Sequence, residues 1–218
     1  MIGYWALITQ DTASPDASAY SGVLHTEQPL CSCPSCKLPM FPVLNVARPI
    51  QGIAWRSELC VDGVLSLDVC PNCSHSLNNY YVTIAAGGRT AGVGFMDDGG
   101  PRWVIDMPFR CRQVDLQPIP ASFWNDADEQ EEYLTRQLLK GVYHQVGGQA
   151  VKPCRDPIDQ CQRCGGSVEF FGVIDYDDLN VPLYEEENPR SLLIGDMRSL
   201  NVYLCRQCPT INYGITAD

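Results

Sequence analysis

The chain of 218 residues has a formal net charge of −11, and 45% of its residues are hydrophobic while 19% are charged. This balance excludes an intrinsically disordered chain, and the length suits one large domain or two small ones. The acidic excess opposes non-specific binding to nucleic acid, which depends on Lys and Arg at phosphates, and favours a basic partner, although acidity also serves solubility alone.

The start of the chain shows no targeting signal. The apolar stretch 2–8 is too short for the core of a signal peptide, and it lacks the positively charged residue that a signal peptide has near its start. We therefore expect a cytoplasmic protein without a membrane span. In that compartment its twelve cysteines favour reduced thiols and metal binding over disulfides.

Eight of the cysteines form four C-x-x-C pairs in two sets. The first set is Cys33, Cys36, Cys70 and Cys73, and the second set is Cys161, Cys164, Cys205 and Cys208. Two cysteines in a tight turn supply one edge of the tetrahedron that zinc prefers, so two such turns close a site. We predict two structural zinc ions per chain. Uncoordinated thiols and iron are the alternatives, although the close run of cysteines typical of iron–sulfur proteins is missing.

The segments around each set predict the same pair of strands. An apolar, β-rich segment follows the first pair of each set, at 40–46 and 168–174. Alternating apolar residues lead into the second pair, at 65–69 and 200–204, and this period-two pattern marks a strand with one buried face. Each half therefore reads as turn, strand, loop, strand and turn, which is a zinc-ribbon arrangement.

Between the two sets, the sequence predicts two further strands, a glycine-rich connection and one helix. The strands are 80–84 and 103–107, and the segment 87–100 indicates a loop or a loose hairpin. The helix runs from about 125 to 140. Asn125 or Asp126 can cap it, acidic residues fill its first turn and basic residues its last.

These elements together predict a mainly β (α+β) fold. It consists of two related zinc-ribbon-containing β units, at 1–118 and 119–218, with the principal helix between the two ribbons. We interpret the likeness of the two units as an internal duplication. Convergence on a common zinc-ribbon pattern is the alternative.

The remaining reactive residues give no enzymatic signature. Cys31 or His75 could replace a C-x-x-C ligand, whereas Cys60, Cys111 and Cys154 fit the role of small buried hydrophobic residues. No local motif joins one of the three histidines to a free cysteine, and the glycine-rich segment lacks the ending of a phosphate-binding loop. A closed four-thiolate zinc site also has no open position for chemistry. We expect that the protein is not an enzyme.

An acidic segment in the second half is a candidate partner surface. No Lys or Arg occurs from 165 to 189, a stretch that holds seven acidic residues. A cluster of one sign repels itself and often serves to attract the opposite charge, although a merely solvated loop is the alternative. The candidate partner-binding residues are Asp175, Asp177, Asp178, Glu185, Glu186 and Glu187.

Part of the second half resembles a known family. It reads His-Gln-Val-Gly-Gly at 144–148, Cys-Gln-Arg-Cys-Gly-Gly followed by an apolar strand at 161–171, and Cys-Arg-Gln-Cys at 205–208. This pattern resembles the YwqG-like bacterial domains of unknown function and is distantly similar to the programmed cell death protein 2 family, whose members escort a new ribosomal protein. The double-CXXCG immunity proteins share the general layout. The resemblance covers 141–213, with a fainter copy at 22–84, and it implies a cytosolic, non-enzymatic protein that binds another protein.

Charge, cysteines and resemblance lead to one functional hypothesis and two alternatives. We predict a zinc-stabilised protein-binding module, specifically an immunity (antitoxin) protein that occludes a basic toxin. The first alternative is a dedicated chaperone for a basic client such as a ribosomal protein. The second is a zinc-ribbon nucleic-acid binder, which the negative charge of the chain disfavours.

Overall fold

The computed structural model describes thirteen stretches of the chain and eleven β-strands within them. The described residues are 2–10, 19–21, 31–34, 37–46, 49–53, 55–61, 63–70, 79–85, 88–93, 112–132, 143–150, 158–174 and 199–215. The strands are β1 (Gly3–Gln10), β2 (Ala19–Ser21), β3 (Phe41–Val46), β4 (Leu65–Val69), β5 (Tyr80–Ala85), β6 (Gly88–Val93), β7 (Arg112–Pro118), β8 (Tyr143–Gly147), β9 (Val168–Ile174), β10 (Leu200–Cys205) and β11 (Thr210–Ile215). The predicted mainly β character is confirmed. No helix among these residues has the length and apolar character needed to cross a membrane.

All described strands join one antiparallel sheet in the order β4-β3-β2-β7-β1-β8-β9-β10-β11-β5-β6. The strands of the predicted second unit, β8 to β11, lie between two groups of strands from the predicted first unit. β1 lies between β7 and β8, and β11 pairs with β5. The segments 1–118 and 119–218 therefore contribute to the same sheet, and each contacts the other through backbone hydrogen bonds.

The ladder between β3 and β4 repeats the ladder between β9 and β10. In β3, Phe41, Leu44 and Val46 face Val69, Leu67 and Leu65, and in β9 Glu169, Gly172 and Ile174 face Leu204, Val202 and Leu200. Each ladder also has one extra residue at the same place, Val43 in β3 and Phe171 in β9. Such a β-bulge bends its strand locally, so the two strand pairs share their register and their point of bending.

The neighbouring strands continue this correspondence. The row Asn45, Tyr20, Gln113 crosses β3, β2 and β7, and the row Val173, Gln145, Trp5 crosses β9, β8 and β1. The four strands β4-β3-β2-β7 thus correspond to the four strands β10-β9-β8-β1, and the two groups meet where β7 pairs with β1. In this correspondence β1, the first strand of the chain, belongs to the group that contains β8, β9 and β10.

A buried polar cluster joins the edge strand β4 to strands at the other end of the sheet. The backbone N–H of Asp68 donates to the hydroxyl of Tyr213 (3.0 Å), and the hydroxyl of Tyr80 donates to the Asp68 carbonyl (2.9 Å). The two tyrosine rings stack with centroids 4.4 Å apart. Arg89 Nη1 of β6 lies 2.8 Å from both carboxylate oxygens of Asp68. The sheet therefore curls until its two ends meet.

This closure explains a difference from the sequence-based prediction. Alternation predicted one buried face for β4, and its apolar residues Leu65, Leu67 and Val69 do lie in the core. Ser66 and Asp68, on the other face, are also buried. Burial raises the pKa of Asp68 to about 6, while the positive charge of Arg89 lowers it. The negative charge of the Asp68 carboxylate is thus stabilised by Arg89 rather than by water.

The connections follow their predicted chemistry in part. Asp126 Oδ1 accepts hydrogen bonds from the backbone N–H groups of Asp128 (2.9 Å) and Glu129 (3.1 Å), so Asp126 is the N-cap of the predicted helix. Residues 127–132 are helical, and the rest of the predicted helix and the predicted strand 103–107 lie outside the described residues. The first part of the glycine-rich connection forms β6, which makes a hairpin with β5 rather than a loop.

The Gly-Gly pair at the end of β8 has a steric explanation. Gly147 and Gly148 have φ angles of 73° and 77°, in the left-handed region that favours glycine. A Cβ atom on Gly147 would overlap Ile53, and one on Gly148 would overlap the Trp124 ring. The Gly148 N–H donates to the Ile2 carbonyl (2.8 Å), so this turn extends the contact between β1 and β8.

We expect that Asp68→Asn and Arg89→Gln each lower the free energy of unfolding by about 3–5 kcal/mol, because each leaves a buried partner without its counter-charge. The double variant should lose less than the sum of the two single losses. Urea unfolding of zinc-loaded protein measures these values. Glu169→Gln is the control: it breaks an exposed pair with Arg206 (3.2 Å) and should cost no more than about 1 kcal/mol. Strictly additive losses would contradict the coupling.

Candidate metal centre

The four cysteines of the second set converge at one end of the β9–β10 pair. The sulfur atoms of Cys161, Cys164, Cys205 and Cys208 all lie within 4.8 Å of one another. Individual separations are 3.8 Å for Cys161–Cys208, 3.6 Å for Cys164–Cys205, 3.3 Å for Cys164–Cys208 and 3.5 Å for Cys205–Cys208. The sequence predicted this set, and the structure brings its members together.

Local backbone geometry forms the two turns. In the first turn the Cys161 N–H donates to the Gly166 carbonyl (2.7 Å), and the Gly165 N–H donates to the Cys161 carbonyl (2.8 Å). Gly165 has a φ of 72°, which glycine adopts without strain. In the second turn the N–H groups of Gln207 and Cys208 point at Cys205 Sγ, at 3.3 and 3.4 Å. Donors at these distances stabilise a thiolate.

Buried polar side chains surround the sulfurs. Asn212 Nδ2 lies 3.7 Å from Cys161 Sγ, and its Oδ1 accepts the Gln162 N–H (2.9 Å). The Thr210 hydroxyl lies 3.2 Å from Cys208 Sγ. Asn212 and Thr210 are both fully buried on β11, so the strand after the cluster fixes the sulfurs from a third side.

The cluster fits a single tetrahedral ion. Metal–sulfur distances of about 2.3 Å imply sulfur–sulfur edges of about 3.8 Å, and the observed separations approach this value. Cys161 and Cys205 are buried, Cys208 is half-buried and Cys164 is exposed. Burial, opposed by Thr210 and assisted by the neighbouring thiols, raises the pKa of the Cys208 thiol to about 12. Four adjacent thiolates therefore require a cation, and a tetrahedral four-sulfur site selects zinc or iron.

Arg56, which the sequence analysis did not single out, reaches this centre from the other half of the chain. Its Nη1 donates to the carbonyl of Cys205 and lies 3.4 Å from the carbonyl of Cys208. A second connection from the first half is the Ile84 N–H, which donates to the Pro209 carbonyl (2.8 Å). No signal in the sequence marks Arg56, because its partners are backbone atoms 149 and 152 positions away.

The first cysteine set is described in part. Cys33 and Cys70 are fully buried, whereas Cys36 and Cys73 lie outside the described residues. The turn at Cys33 matches the one at Cys161: the Lys37 N–H donates to the Cys33 carbonyl (3.0 Å), and the Cys33 N–H donates to the Leu38 carbonyl (2.8 Å). Lys37 has a φ of 66°, and it is the only residue other than glycine with positive φ in the described part of the chain.

The remaining candidates divide between described and undescribed residues. Cys31 is buried, and burial raises the pKa of its thiol to about 12, with a smaller contribution from Asp68. Cys60 is half-buried, with its sulfur 3.5 Å from the Arg56 carbonyl. The others lie outside the described residues: His75, Cys111, Cys154, Asp175, Asp177, Asp178, Glu185, Glu186 and Glu187.

Comparisons with protein-family models, with curated proteins and with solved structures found no match to this chain. The resemblance of 141–213 to YwqG-like domains therefore stays a prediction from its motifs.

We expect that Cys161→Ser and Cys205→Ser each abolish metal binding at this cluster and lower the melting temperature by roughly 10 °C or more. Metal binding to such a site is folding free energy, and a loss of several kcal/mol has this effect in a chain of this size. Calorimetry with metal analysis measures both quantities. Cys60→Ser, outside the cluster, should retain the metal and most of the stability. An unchanged melting temperature in a metal-free Cys161→Ser variant would contradict a structural role.

Proposed function

We propose that this protein is a zinc-stabilised, non-enzymatic module that binds another protein. The observation that carries the proposal is the closed arrangement of four cysteine sulfurs around one point. Four protein ligands complete the tetrahedron of zinc and leave no position for water or substrate, which is typical of structural sites. The role of the metal is then to hold the ends of β9, β10 and β11 together.

The proposal extends to a second zinc ion in the first half, bound by Cys33, Cys36, Cys70 and Cys73. Its support is the matching turn geometry at Cys33 and Cys161, where Ser32 bridges Pro39 as Gln160 bridges Ser167. The shared register and bulge of the two strand pairs add to it. On this proposal the two halves are related zinc-ribbon units that arose by internal duplication.

The proposed partner is a basic protein. The formal charge of −11 counts cysteines as neutral, and each zinc bound by four thiolates adds a further charge of about −2. An acidic surface speeds the capture of a basic partner and repels nucleic acid. Within this class we propose an immunity protein that occludes a basic toxin in the cytoplasm, and the acidic segment 165–189 forms part of its binding surface.

We expect two equivalents of zinc per chain in protein purified without chelators, measured by elemental analysis. Cys33→Ser and Cys70→Ser should each reduce the content to about one equivalent, because the second cluster keeps its own four ligands. Cys60→Ser again serves as the control with two equivalents. One equivalent in the wild-type chain would remove the first-half site and keep the second, whereas no metal or only iron would overturn the zinc proposal.

We expect that neutralising the acidic segment slows partner association. A pull-down from the native cell with mass spectrometry identifies the partner, and stopped-flow kinetics over a salt series compares variants. Glu185→Gln, Glu186→Gln and Glu187→Gln combined should reduce the association rate several-fold and flatten its salt dependence. The control variant combines Glu129→Gln, Glu131→Gln and Glu132→Gln. It removes the same number of negative charges from an exposed helix outside the acidic segment. Equal rates for both variants would show that the segment only adds solubility.

A further inference from the structure

Arg56 makes an unusual set of contacts with the second cysteine cluster. One nitrogen, Nη1, contacts the carbonyl oxygens of Cys205 and Cys208, which stand at the two ends of the second turn. The other two nitrogens, Nε and Nη2, contact Glu58 Oε1. The side chain is 21% exposed, so most of it is withdrawn from water.

These contacts add to the hydrogen bonding of the turn, in which the Cys208 carbonyl also accepts the Thr210 N–H (2.7 Å). The N–H groups of Gln207 and Cys208 donate to the sulfur of Cys205, and the carbonyls of Cys205 and Cys208 accept from Arg56. A shift of the turn would stretch or break these bonds. A guanidinium suits this role because its planar, always charged group presents several donors in a fixed geometry.

The positive charge of Arg56, like its hydrogen bonds, should favour the metal-bound centre. A metal centre with four thiolates and one dication carries a charge of about −2, which is costly in a partly buried position. A fixed cation beside the ligand backbone offsets part of this negative charge, so Arg56 should oppose loss of the metal-bound form.

Arg56 itself is anchored in the first half of the chain. It immediately precedes the 3-10 turn Ser57–Leu59, and Leu59 is fully buried in the core. Because the backbone of Arg56 is fixed by the core of the first half, its side chain holds the turn of Cys205 and Cys208 in a position that depends on that core. The contact is therefore a physical link between metal retention at one cluster and the order of the opposite half.

We infer that Arg56 is a positioning residue for the metal centre of Cys161, Cys164, Cys205 and Cys208, and that it couples metal retention there to the folded first half. The inference rests on the proposed function, since it requires that this cluster binds zinc. Residues that orient metal ligands typically change affinity 10–100-fold when replaced. Arg56 belongs to this class because it holds ligand backbone without touching the metal.

The test compares three variants of the full chain. Arg56→Gln removes the charge and keeps a donor, Arg56→Lys keeps the charge without the planar donor group, and Glu58→Gln removes only the other partner of Arg56. Zinc transfer to a chromogenic chelator measures the release rate. The absorption spectrum of Co²⁺-loaded protein reports the geometry of the thiolate ligands, and the melting temperature is measured in parallel.

We expect that Arg56→Gln accelerates zinc release from one site by roughly 10–100-fold and alters the Co²⁺–thiolate spectrum. Arg56→Lys should lie between this variant and the wild type, and Glu58→Gln should stay within about twofold of the wild type, as expected for an exposed contact. Wild-type release by Arg56→Gln would overturn the inference. So would equal acceleration of every release phase with an unchanged spectrum, which indicates general destabilisation. Wild-type protein that binds no metal would instead overturn the proposed function.

Discussion

The antiparallel pairing of β9 with β10 is the contact on which the candidate metal centre depends. One C-x-x-C turn precedes β9 and the other follows β10, so the register of the pair determines whether four sulfurs meet. The bulge at Phe171 is part of that register. Because a one-residue slip would move every side chain to the opposite face, the cluster and the core impose the same alignment.

The two halves of the chain stabilise each other through reciprocal contacts. Arg56 and Ile84 of the first half contact the turn after β10, and Tyr213 of the second half binds the backbone of Asp68 in β4. Each cysteine region is therefore held by residues from the opposite half. The single sheet makes this possible, because strands of each half form backbone hydrogen bonds with strands of the other half, β1 with β8 and β5 with β11.

Sequence patterns predicted the parts of the fold that depend on neighbouring residues. The strands around the cysteines, Asp126 as one of two candidate N-caps and the second cysteine set were all visible, because turns, caps and period-two alternation are local. Burial of the second face of β4 was not predicted, since it depends on Arg89 and on the two tyrosines, which lie at a distance in the chain. The left-handed conformation of Lys37 was also missed, because glycine is the usual residue there.

By itself, the sequence determined that this is a mainly β protein with cysteine turns spaced for tetrahedral metal ligation. Those properties follow from spacing along the chain, which fixes the reach of each turn and the side chains on each strand face. Only the tertiary structure decided that both halves share one sheet and that Asp68 is paired with Arg89. It also placed Arg56 on the turn between Cys205 and Cys208. These contacts join residues far apart in sequence, and their energies depend on burial and distance, which no local pattern encodes.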